Sequence, residues 1–542
     1  MTARNICFLF ISIICYNHLC LSQEPVEPMQ TGKFEPGWES LKQYETPEWY
    51  RNAKFGIWAH WGPQCQPEQG DWYARIMYDE GSNHYKWHLE HYGHPSEFGF
   101  KDVINDWKAE KWDPESLVKL YKRCGARYFF AMANHHDNFD LWNSKYQPWN
   151  SVNMGPKKDI IAGWAMAAKN NNLRFGLSIH AAHAWLWYET AQRSDKEGPY
   201  AGIPYDGTLT KEDGKGKWWE GYDSQDLYSQ KHPLSEKSDV TEFIHQQWHW
   251  ENGATPPSIE YCNKFYDRTV DLINQYNPDL LYFDDTALPL WPVSDVGLKI
   301  AAHYYNHNMM LHNGNLEAIL FGKILSEEQK KCILWDVEKG APDRIEEQPW
   351  QTCTCLGGWH YEKRRGETGN YKPASDVIRM LADVVSKNGN LLLNIPVRGN
   401  GSIDEYEIKI LEEIADWMDV NKEAIFDTRP WVIFGEGPVA EKGNPIHAQG
   451  FNEGIISTLT SKDIRFTQKG DVIYAIVMSW PEDAKVLIKS LASGSPYYRN
   501  EISGVELLGG GTLAFTRNAE ALKILLPGKN DSTMPLVLKI SK

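Results

Sequence analysis

The sequence predicts an α/β fold in which a (β/α)8-like barrel is followed by a C-terminal β-sandwich. Helix-like stretches alternate with apolar strand-like runs up to about residue 430, and several of those runs end in histidine or aspartate. Beyond Trp431 the pattern changes to short alternating runs. Strands with polar groups at their carboxyl ends are typical of parallel barrels, whose sites lie at that face. The 542 residues suit a barrel of about 250 residues with insertions and an added module.

The first residues resemble a cleaved signal peptide. Arg4 precedes the apolar run 6–15, which is too short to cross a bilayer, and Cys20-Leu21-Ser22 offers small residues before a cleavage point. A lipoprotein anchored through Cys20 is the alternative, disfavoured because Asn17-His18-Leu19 is a poor lipobox. No later segment is apolar and long enough to span a membrane. We predict a signal peptide at 1–22 and a periplasmic or secreted protein.

Repeated helix-to-strand units predict the barrel, which we place at residues 23–430. The clearest helix starts at Pro114 with Asp113 as its N-cap, and it leads through Gly125 into a strand. Such units imply right-handed crossovers and a parallel sheet. Closure fits the length better than an open sheet, since no glycine-rich phosphate loop is present. The predicted helices are 114–121, 161–168 and 261–274, and the strands that follow them are 127–132, 174–180 and 280–284.

Two further regions complete the prediction. Residues 190–256 are rich in Gly, Lys, Asp and Trp with little periodicity, and we expect a long insertion over the barrel mouth. Residues 431–542 contain alternating runs such as 464–467 and 472–477, separated by turns such as Lys469-Gly470-Asp471. These are typical of a β-sandwich.

Composition excludes some classes of partner. The formal net charge of −16 argues against a nucleic acid or an anionic membrane. The six cysteines after residue 22 permit disulfides without showing any, and no Cys-x-x-Cys pair predicts zinc. We expect no cofactor. The 24 Trp and 27 Tyr exceed what a core of this size needs, and some of them suit the stacking of a sugar ring.

Three segments concentrate histidine, tryptophan and aspartate after an apolar run. They are Phe55–Gly62, Asn134–Trp142 and Leu280–Asp285. Indoles cover the apolar face of a sugar, imidazoles bind its hydroxyls, and carboxylates act at the anomeric carbon. The sequence therefore predicts carbohydrate chemistry at the mouth of the barrel.

These motifs, in this order, resemble family 29 glycoside hydrolases, the retaining α-L-fucosidases. The resemblance runs from about Trp49 into the C-terminal sandwich. Its motifs are Phe55-Gly56-Ile57, His60-Trp61-Gly62, Asp71-Trp72-Tyr73, Asn134-His135-His136-Asp137, Ala109–Pro114, Gly155–Asp159 and Gly389–Ile395. It implies a barrel followed by a β-sandwich, with fucose bound at the carboxyl face of the barrel.

The resemblance also implies roles for individual residues. Asp284 matches the nucleophile that forms a covalent glycosyl-enzyme, and its neighbour Asp285 would point away or orient another group. His60, His135 and His136 match residues that bind the sugar's hydroxyls. Trp72 would lie against the sugar with Asp71 nearby, where the family usually carries Glu, which has a longer side chain.

Two alternatives concern the histidines. Metal binding is disfavoured, because successive residues on a strand point to opposite faces and His135 and His136 would not share an ion. His180 and His183 lie beyond another strand, where each could line the pocket or cap the strand.

The general acid/base is where the sequence departs from the family. Many members carry Glu at the second position of the segment that reads Trp350-Gln351-Thr352-Cys353 here, and an amide cannot donate and regain a proton. Lys339 stands where some members place an arginine near the sugar. We expect another carboxylate to serve, with Glu338 and Glu347 favoured. The full set of candidates is Asp336, Glu338, Asp343, Glu346, Glu347 and Glu362.

The leading functional hypothesis is an exo-acting α-L-fucosidase acting on fucosylated oligo- or polysaccharides. Terminal L-galactose, a close relative of fucose, is an alternative substrate. A catalytically silent carbohydrate-binding protein is a second hypothesis, supported by Gln351. A third is hydrolysis of sulfated fucose, with cations of the insertion, Arg193, Lys211, Lys215 and Lys217, as binding groups. The sequence does not determine linkage preference, disulfide pairing or oligomeric state.

Overall fold

The computed structural model describes residues 24–239, 243–446 and 450–542, so the predicted signal peptide at 1–22 lies outside the described residues. Eight parallel strands form a closed barrel in chain order, because β8 returns to pair with β1. The strands are β1 (Phe55–Ala59), β2 (Tyr128–Asn134), β3 (Arg174–Ile179), β4 (Leu280–Phe283), β5 (Ile319–Gly322), β6 (Leu334–Glu338), β7 (Trp350–Cys355) and β8 (Gly389–Asn394).

Helices and loops connect the strands and surround the barrel. The α-helices are α1 (Trp38–Leu41), α2 (Glu48–Ala53), α3 (Tyr73–Ile76), α4 (Asn83–His91), α5 (Phe100–Asp106), α6 (Pro114–Arg123), α7 (Ile160–Asn170), α8 (Ala184–Trp187), α9 (Gln225–Tyr228), α10 (Ile244–Gln247), α11 (Ile259–Tyr276), α12 (Val296–Leu311), α13 (Lys363–Thr368), α14 (Ala374–Ser386), α15 (Glu405–Asn421) and α16 (Pro438–Lys442). The predicted barrel and its helix-to-strand units are confirmed.

Local sequence explains where these elements begin and end. The Asp113 side chain accepts a hydrogen bond from the Ser116 amide and caps α6, while Pro114 occupies the first helical position. Strands β1, β2, β4 and β8 are buried along their whole length. Barrel strands covered by helices have no solvent face, which is why they are continuous apolar runs and not alternating patterns.

The C-terminal domain contains a six-stranded and a three-stranded sheet, with strand orders β14-β13-β17-β11-β10-β9 and β12-β16-β15. Apolar side chains of both sheets form one core, as a β-sandwich requires. The strands are β9 (Arg429–Glu436), β10 (Ile464–Lys469), β11 (Val472–Val477), β12 (Lys485–Ile488), β13 (Gly504–Leu507), β14 (Gly511–Thr512), β15 (Phe515–Arg517), β16 (Leu522–Leu525) and β17 (Leu536–Ser541). The division that we placed at residue 430 remains a prediction.

A buried ionic cluster joins the two parts of the chain. Asp383 on α14 accepts hydrogen bonds from Lys387 Nζ at 2.8 Å and from Arg465 Nε on β10 at 2.5 Å. Burial opposes the charge of Asp383, but its two basic partners hold the pKa of its carboxyl below the ordinary value. The cluster therefore ties the sandwich to the barrel.

Two sequence expectations concern membranes and cysteines. Among the helices that the structure describes, none combines the length and apolarity needed to cross a bilayer. The six cysteines of the described residues are buried with free thiols.

Candidate active site

A cavity of about 370 Å³ opens at the carboxyl ends of the barrel strands, a volume that suits a small organic ligand. All six residues predicted as catalytic or substrate-binding line it. The lining residues are Trp58, His60, Asp71, Trp72, His135, His136, His180, His245, Trp248, Tyr282, Asp284, Lys323, Glu338, Trp359, His360 and Phe451.

The barrel itself gathers the charged groups of this cavity. Asp284 directly follows β4, Lys323 directly follows β5, and Glu338 is the last residue of β6. Because neighbouring parallel strands end at the same face, these three side chains meet although they are distant in sequence.

Asp284 is held as a carboxylate. Its Oδ1 accepts a hydrogen bond from Lys323 Nζ at 2.7 Å, and its Oδ2 lies 3.1 Å from His180 Nδ1 and 3.2 Å from His136 Nε2. Burial alone would raise the pKa of Asp284. The charge of Lys323, followed by the contacts with the two histidines, outweighs burial and holds this pKa well below its usual range. An ionised aspartate with one face open to a cavity is suited to nucleophilic attack.

Lys323 also joins Asp284 to Glu338. Its Nζ donates to Glu338 Oε2 at 2.8 Å, so both carboxylates contact the same ammonium group. The two bonded oxygens can be no farther apart than the sum of these two bond lengths. Such a spacing is compatible with the about 5–5.5 Å that retaining glycosidases keep between their carboxyl groups. Burial opposes the charge of Lys323, but the carboxylates raise its pKa well above the ordinary value.

Histidines form another part of the cavity wall. Neither ring nitrogen of His60 has a hydrogen-bond partner among the residues that the structure describes. His135 accepts a 2.6 Å hydrogen bond at Nδ1 from the Gln64 amide, which leaves its Nε2–H free to donate. Burial, followed by the neighbouring histidines, holds the pKa of both imidazoles well below the ordinary value. Neutral imidazoles of this kind offer donors and acceptors that match sugar hydroxyls.

Asp71 and Trp72 lie at the rim. Asp71 accepts hydrogen bonds from the backbone amides of His360 at 2.6 Å and Trp359 at 3.2 Å, and His360 Nδ1 is 3.3 Å from the same carboxylate. Through the Nδ1 contact, His360 presents Nε2 as an acceptor, and that buried atom is unpaired among the described residues. Trp72 packs against the His245 ring with centroids 4.7 Å apart.

Of the six carboxylates considered as the acid/base, all within the described residues, Glu338 alone lines the cavity. Glu347 is exposed on the loop before β7. Gln351 is buried below the cavity, where its Nε2 donates to Asp336 at 2.9 Å. Burial raises the pKa of Asp336 to about 6. Lys339 does not line the cavity, and its Nζ lies 5.2 Å from the centre of the Trp359 ring.

Two other expectations were tested by the geometry. Asp285 points away from the cavity, where Oδ1 lies 3.1 Å from His183 Nε2 and the backbone amides of Thr286 and Leu290 donate to the carboxylate. His180 lines the cavity, whereas His183 does not.

The argument that His135 and His136 point to opposite faces was wrong. Strand β2 ends at Asn134, both histidines lie in the segment that follows, and their ring centres are 4.4 Å apart at one cavity wall. Two sets of three histidines could each hold a metal ion by proximity, with ligand nitrogens within 4.8 Å of one another: His60, His135 and His360, and His135, His136 and His180.

Sequence reasoning missed several lining residues. Lys323 had a usable signal, because it follows a short apolar run, Ala318–Gly322, as Asp284 follows its own strand. His245 and Trp248 come from the insertion over the mouth, and Phe451 comes from the segment between β9 and β10. Nothing in the sequence around these three residues points to the cavity.

Comparison with known proteins identifies the family of the chain. A family model described as alpha-L-fucosidase matches residues 21–423, and one described as the alpha-L-fucosidase C-terminal domain matches residues 457–541. An alpha-L-fucosidase of Branchiostoma floridae is 26% identical over 464 residues, covering 84% of each chain. A tissue alpha-L-fucosidase of Homo sapiens is 23% identical over 476 residues, covering 84% of this chain and 81% of the relative.

The fold is shared with solved structures. A Thermotoga maritima alpha-fucosidase in complex with a mechanism-based inhibitor superimposes with a TM-score of 0.66 at 24% identity, covering 94% of this chain and all of that one. An alpha-L-fucosidase isoenzyme 1 from Paenibacillus thiaminolyticus gives 0.59 at 18% identity, covering 93% of this chain and 99% of that one. The family model spans most of the chain, and the chain therefore belongs to the α-L-fucosidase family of glycoside hydrolases.

Proposed function

We propose that this protein is an exo-acting, retaining α-L-fucosidase that removes terminal α-L-fucose from oligo- or polysaccharides. The observation that carries the proposal is the environment of Asp284, a half-buried carboxylate that a lysine and two histidines hold ionised at the wall of the cavity. The cavity volume of about 370 Å³ suits one sugar ring with part of its leaving group.

Asp284 is the proposed nucleophile. Its carboxylate attacks the anomeric carbon as the bond to the leaving oxygen breaks, giving a covalent fucosyl-enzyme. Water then attacks the same carbon and releases Asp284 as a carboxylate. The anomeric configuration is inverted twice, so it is retained overall.

Glu338 is the proposed general acid/base. It is the one sequence candidate within the described residues that lines the cavity, and Lys323 joins it to Asp284. As the acid it gives a proton to the leaving oxygen when Asp284 attacks, and as the base it then takes a proton from the attacking water.

The histidine wall is the proposed binding surface for the sugar's hydroxyls. His135 offers a donor, His360 an acceptor, and His60 one of each. Asp71 is shorter than the family's usual Glu and is bonded to His360. We infer that His360 makes the sugar contact on this side while Asp71 fixes its tautomer, and that Trp72 covers an apolar face of the ring.

Release of 4-nitrophenol from 4-nitrophenyl α-L-fucoside tests the nucleophile. This leaving group departs with little protonation, so the assay does not depend on the acid. We expect turnover by the wild type and a loss of about 10³-fold or more in Asp284→Ala, partly restored by azide, which replaces the missing carboxylate as nucleophile. Unchanged turnover in Asp284→Ala would show that another group attacks.

The acid/base assignment has a matched control. Glu338→Gln should depress hydrolysis of a fucosyl disaccharide far more than that of the nitrophenyl substrate, because the poorer leaving group needs protonation. The other sequence candidate gives the control Glu347→Gln, for which we expect wild-type rates on both substrates. Equal losses on both substrates in Glu338→Gln would contradict the acid role. Proton NMR of the first-formed fucose anomer tests retention.

No observation favours the alternative functions. Among the cations considered for a sulfated substrate, Arg193, Lys211, Lys215 and Lys217, none lines the cavity. A silent binding protein would bind fucose in calorimetry without turning over either substrate.

For location, we propose export to the periplasm or the medium after cleavage near residue 22, which amino-terminal sequencing of the mature protein would test.

A further inference from the structure

Phe451 is an apolar side chain at the cavity that is both exposed to solvent and held in a strained backbone conformation. It lines the mouth, yet it is 60% exposed to solvent. Its backbone φ of 58° lies in the left-handed region, where a bulky residue is strained. A strained backbone conformation persists only where surrounding contacts stabilise it, and such residues are concentrated at functional sites. The strain at Phe451 is therefore a reason to look for a function.

The contacts that hold Phe451 lead directly to the proposed acid/base. The Phe451 amide donates to the backbone carbonyl of Glu338 at 2.8 Å. Gly450 makes this approach possible, because a Cβ at that position, where φ is 136°, would lie 2.1 Å from the same carbonyl oxygen. A segment of the C-terminal half of the chain is therefore bonded to the end of β6.

The residues that follow fasten the same segment. Asn452 Oδ1 accepts a hydrogen bond from the Ala341 amide at 2.9 Å, and Asn452 Nδ2 donates to the Ala341 carbonyl at 3.0 Å. Glu453 accepts from Thr354 Oγ1 at 2.6 Å and from Lys372 Nζ at 3.0 Å. These four bonds, to the loop after β6, to β7 and to the loop before α14, fix the backbone that carries the Phe451 ring.

The position of the ring relative to Glu338 defines what it can contact. A general acid lies next to the glycosidic oxygen, and beyond that oxygen is the leaving sugar. The Phe451 ring lines the same cavity as Glu338, and its backbone is bonded to that of Glu338, which favours the leaving-group side for the ring. In the proposed function, fucose lies on the other side, against Asp284 and the histidines. An exposed aromatic face in that place is suited to stacking on the apolar face of a pyranose.

We propose that Phe451 is a binding platform for the leaving sugar, so that the C-terminal part of the chain supplies a subsite for a carbohydrate aglycone. The ligand class is a pyranose glycosidically linked to the fucose. This inference rests on the proposed function and on Glu338 as the acid/base, since both fix which side of the cavity the leaving group takes.

Two substrates separate stacking from an effect on Glu338. Methyl α-L-fucoside has a poor leaving group that needs protonation but no ring to stack. A fucosyl disaccharide, chosen as the linkage that the wild type cleaves fastest, has both. We expect Phe451→Ala to lower kcat/KM for the disaccharide about tenfold, on the scale of one aromatic contact, and to leave methyl fucoside within about twofold.

Two further variants complete the design. Phe451→Trp keeps an aromatic face and should retain the preference of the wild type for the disaccharide. Tyr497→Ala removes another exposed aromatic of the C-terminal domain, one that lines a separate surface groove, and should change neither substrate. Circular dichroism and thermal unfolding check that each variant folds.

The outcomes are distinct. A selective loss for the disaccharide in Phe451→Ala supports the subsite. Equal losses on both substrates would mean that Phe451 acts through Glu338 or through folding, and unchanged rates on both would mean that the ring contacts nothing; either result overturns the proposal. Failure of the wild type to release 4-nitrophenol from the nitrophenyl fucoside would instead refute the proposed function, and the subsite would fall with it.

Discussion

Replacing Lys323 with methionine tests the electrostatic design of the site. The ammonium group lies 2.7 Å from Asp284 Oδ1 and 2.8 Å from Glu338 Oε2, and the side chain is buried. Methionine keeps the length of the side chain but removes its charge. We expect the pKa of Asp284 to rise, because burial and the neighbouring carboxylate would then oppose ionisation while only the histidine contacts favour it.

The magnitude follows from the separation of the charges. At an effective dielectric constant of about 20, two unit charges at this distance attract by about 6 kcal/mol. Measured losses on truncating one partner of a buried charge pair are smaller, about 2–5 kcal/mol, because the site relaxes. Since one pKa unit is about 1.4 kcal/mol, the lower half of that range corresponds to a rise of about two units in the pKa of Asp284.

The direction of the pH shift in Lys323→Met depends on which protonation form of Asp284 reacts. The proposed nucleophile is the Asp284 carboxylate, and a pKa well below the ordinary value keeps it ionised at pH values at which an ordinary aspartate gains a proton. With the pKa raised, the acid limb of kcat/KM moves to higher pH by about two units. The plateau rate also falls, because the fixed positive charge that positions Asp284 and Glu338 is lost.

The assay is the initial rate with 4-nitrophenyl α-L-fucoside between pH 3.5 and 8, with product read after an alkaline quench. Because this leaving group needs little protonation, the acid limb reports Asp284 and not the general acid. Lys323→Arg keeps the positive charge and should keep the acid limb near that of the wild type. An acid limb in Lys323→Met that coincides with the wild-type limb would refute the reasoning.

Three further outcomes follow from single contacts. His60→Ala and His360→Ala should each lower kcat/KM for the nitrophenyl fucoside about 10- to 100-fold, the loss of one or two hydrogen bonds to the sugar, whereas a fucoside lacking the hydroxyl concerned should show no further loss. Asp383→Asn should lower the free energy of unfolding by about 3–5 kcal/mol by leaving buried cations unpaired; urea denaturation would measure this. That stabilisation is present above the ordinary aspartate pKa and is lost as pH falls through the depressed pKa of Asp383. Gly450→Ala places a Cβ against the Glu338 carbonyl and should reduce methyl fucoside hydrolysis more than nitrophenyl fucoside hydrolysis; equal rates would show that the backbone accommodates it.

Local sequence determined much of the architecture. The Asp113 cap with Pro114 fixes the start of α6, and the apolar runs before His60, Asn134 and Asp284 are long enough and buried enough to be barrel strands. Helix caps and strand burial patterns can be predicted from the sequence because each depends on residues only a few positions apart in the chain. The resemblance to the family, whose aspartate directly follows its strand, gave Asp284 as the candidate nucleophile.

Tertiary structure decided what completes the site. The sequence alone does not distinguish Glu338 from Glu347 as the acid/base. In the structure, Glu338 is the last residue of β6 and lines the cavity, whereas Glu347 is exposed on the loop before β7. His135 and His136 face one cavity because β2 ends at Asn134, two residues before the end that the strand argument required. Barrel closure, not sequence spacing, sets these distances, since it brings the ends of separate strands to one face.

The sequence by itself therefore determined the barrel, the sandwich, the family resemblance and the side chains that a sugar pocket needs. Only the tertiary structure decided that Lys323 bonds both Asp284 and Glu338 and that Asp71 is hydrogen-bonded to His360. It also decided that Phe451, from the C-terminal part of the chain, lines the cavity. The physical reason is that local patterns record burial and capping, whereas charge pairing and cavity walls depend on contacts between residues far apart in the chain.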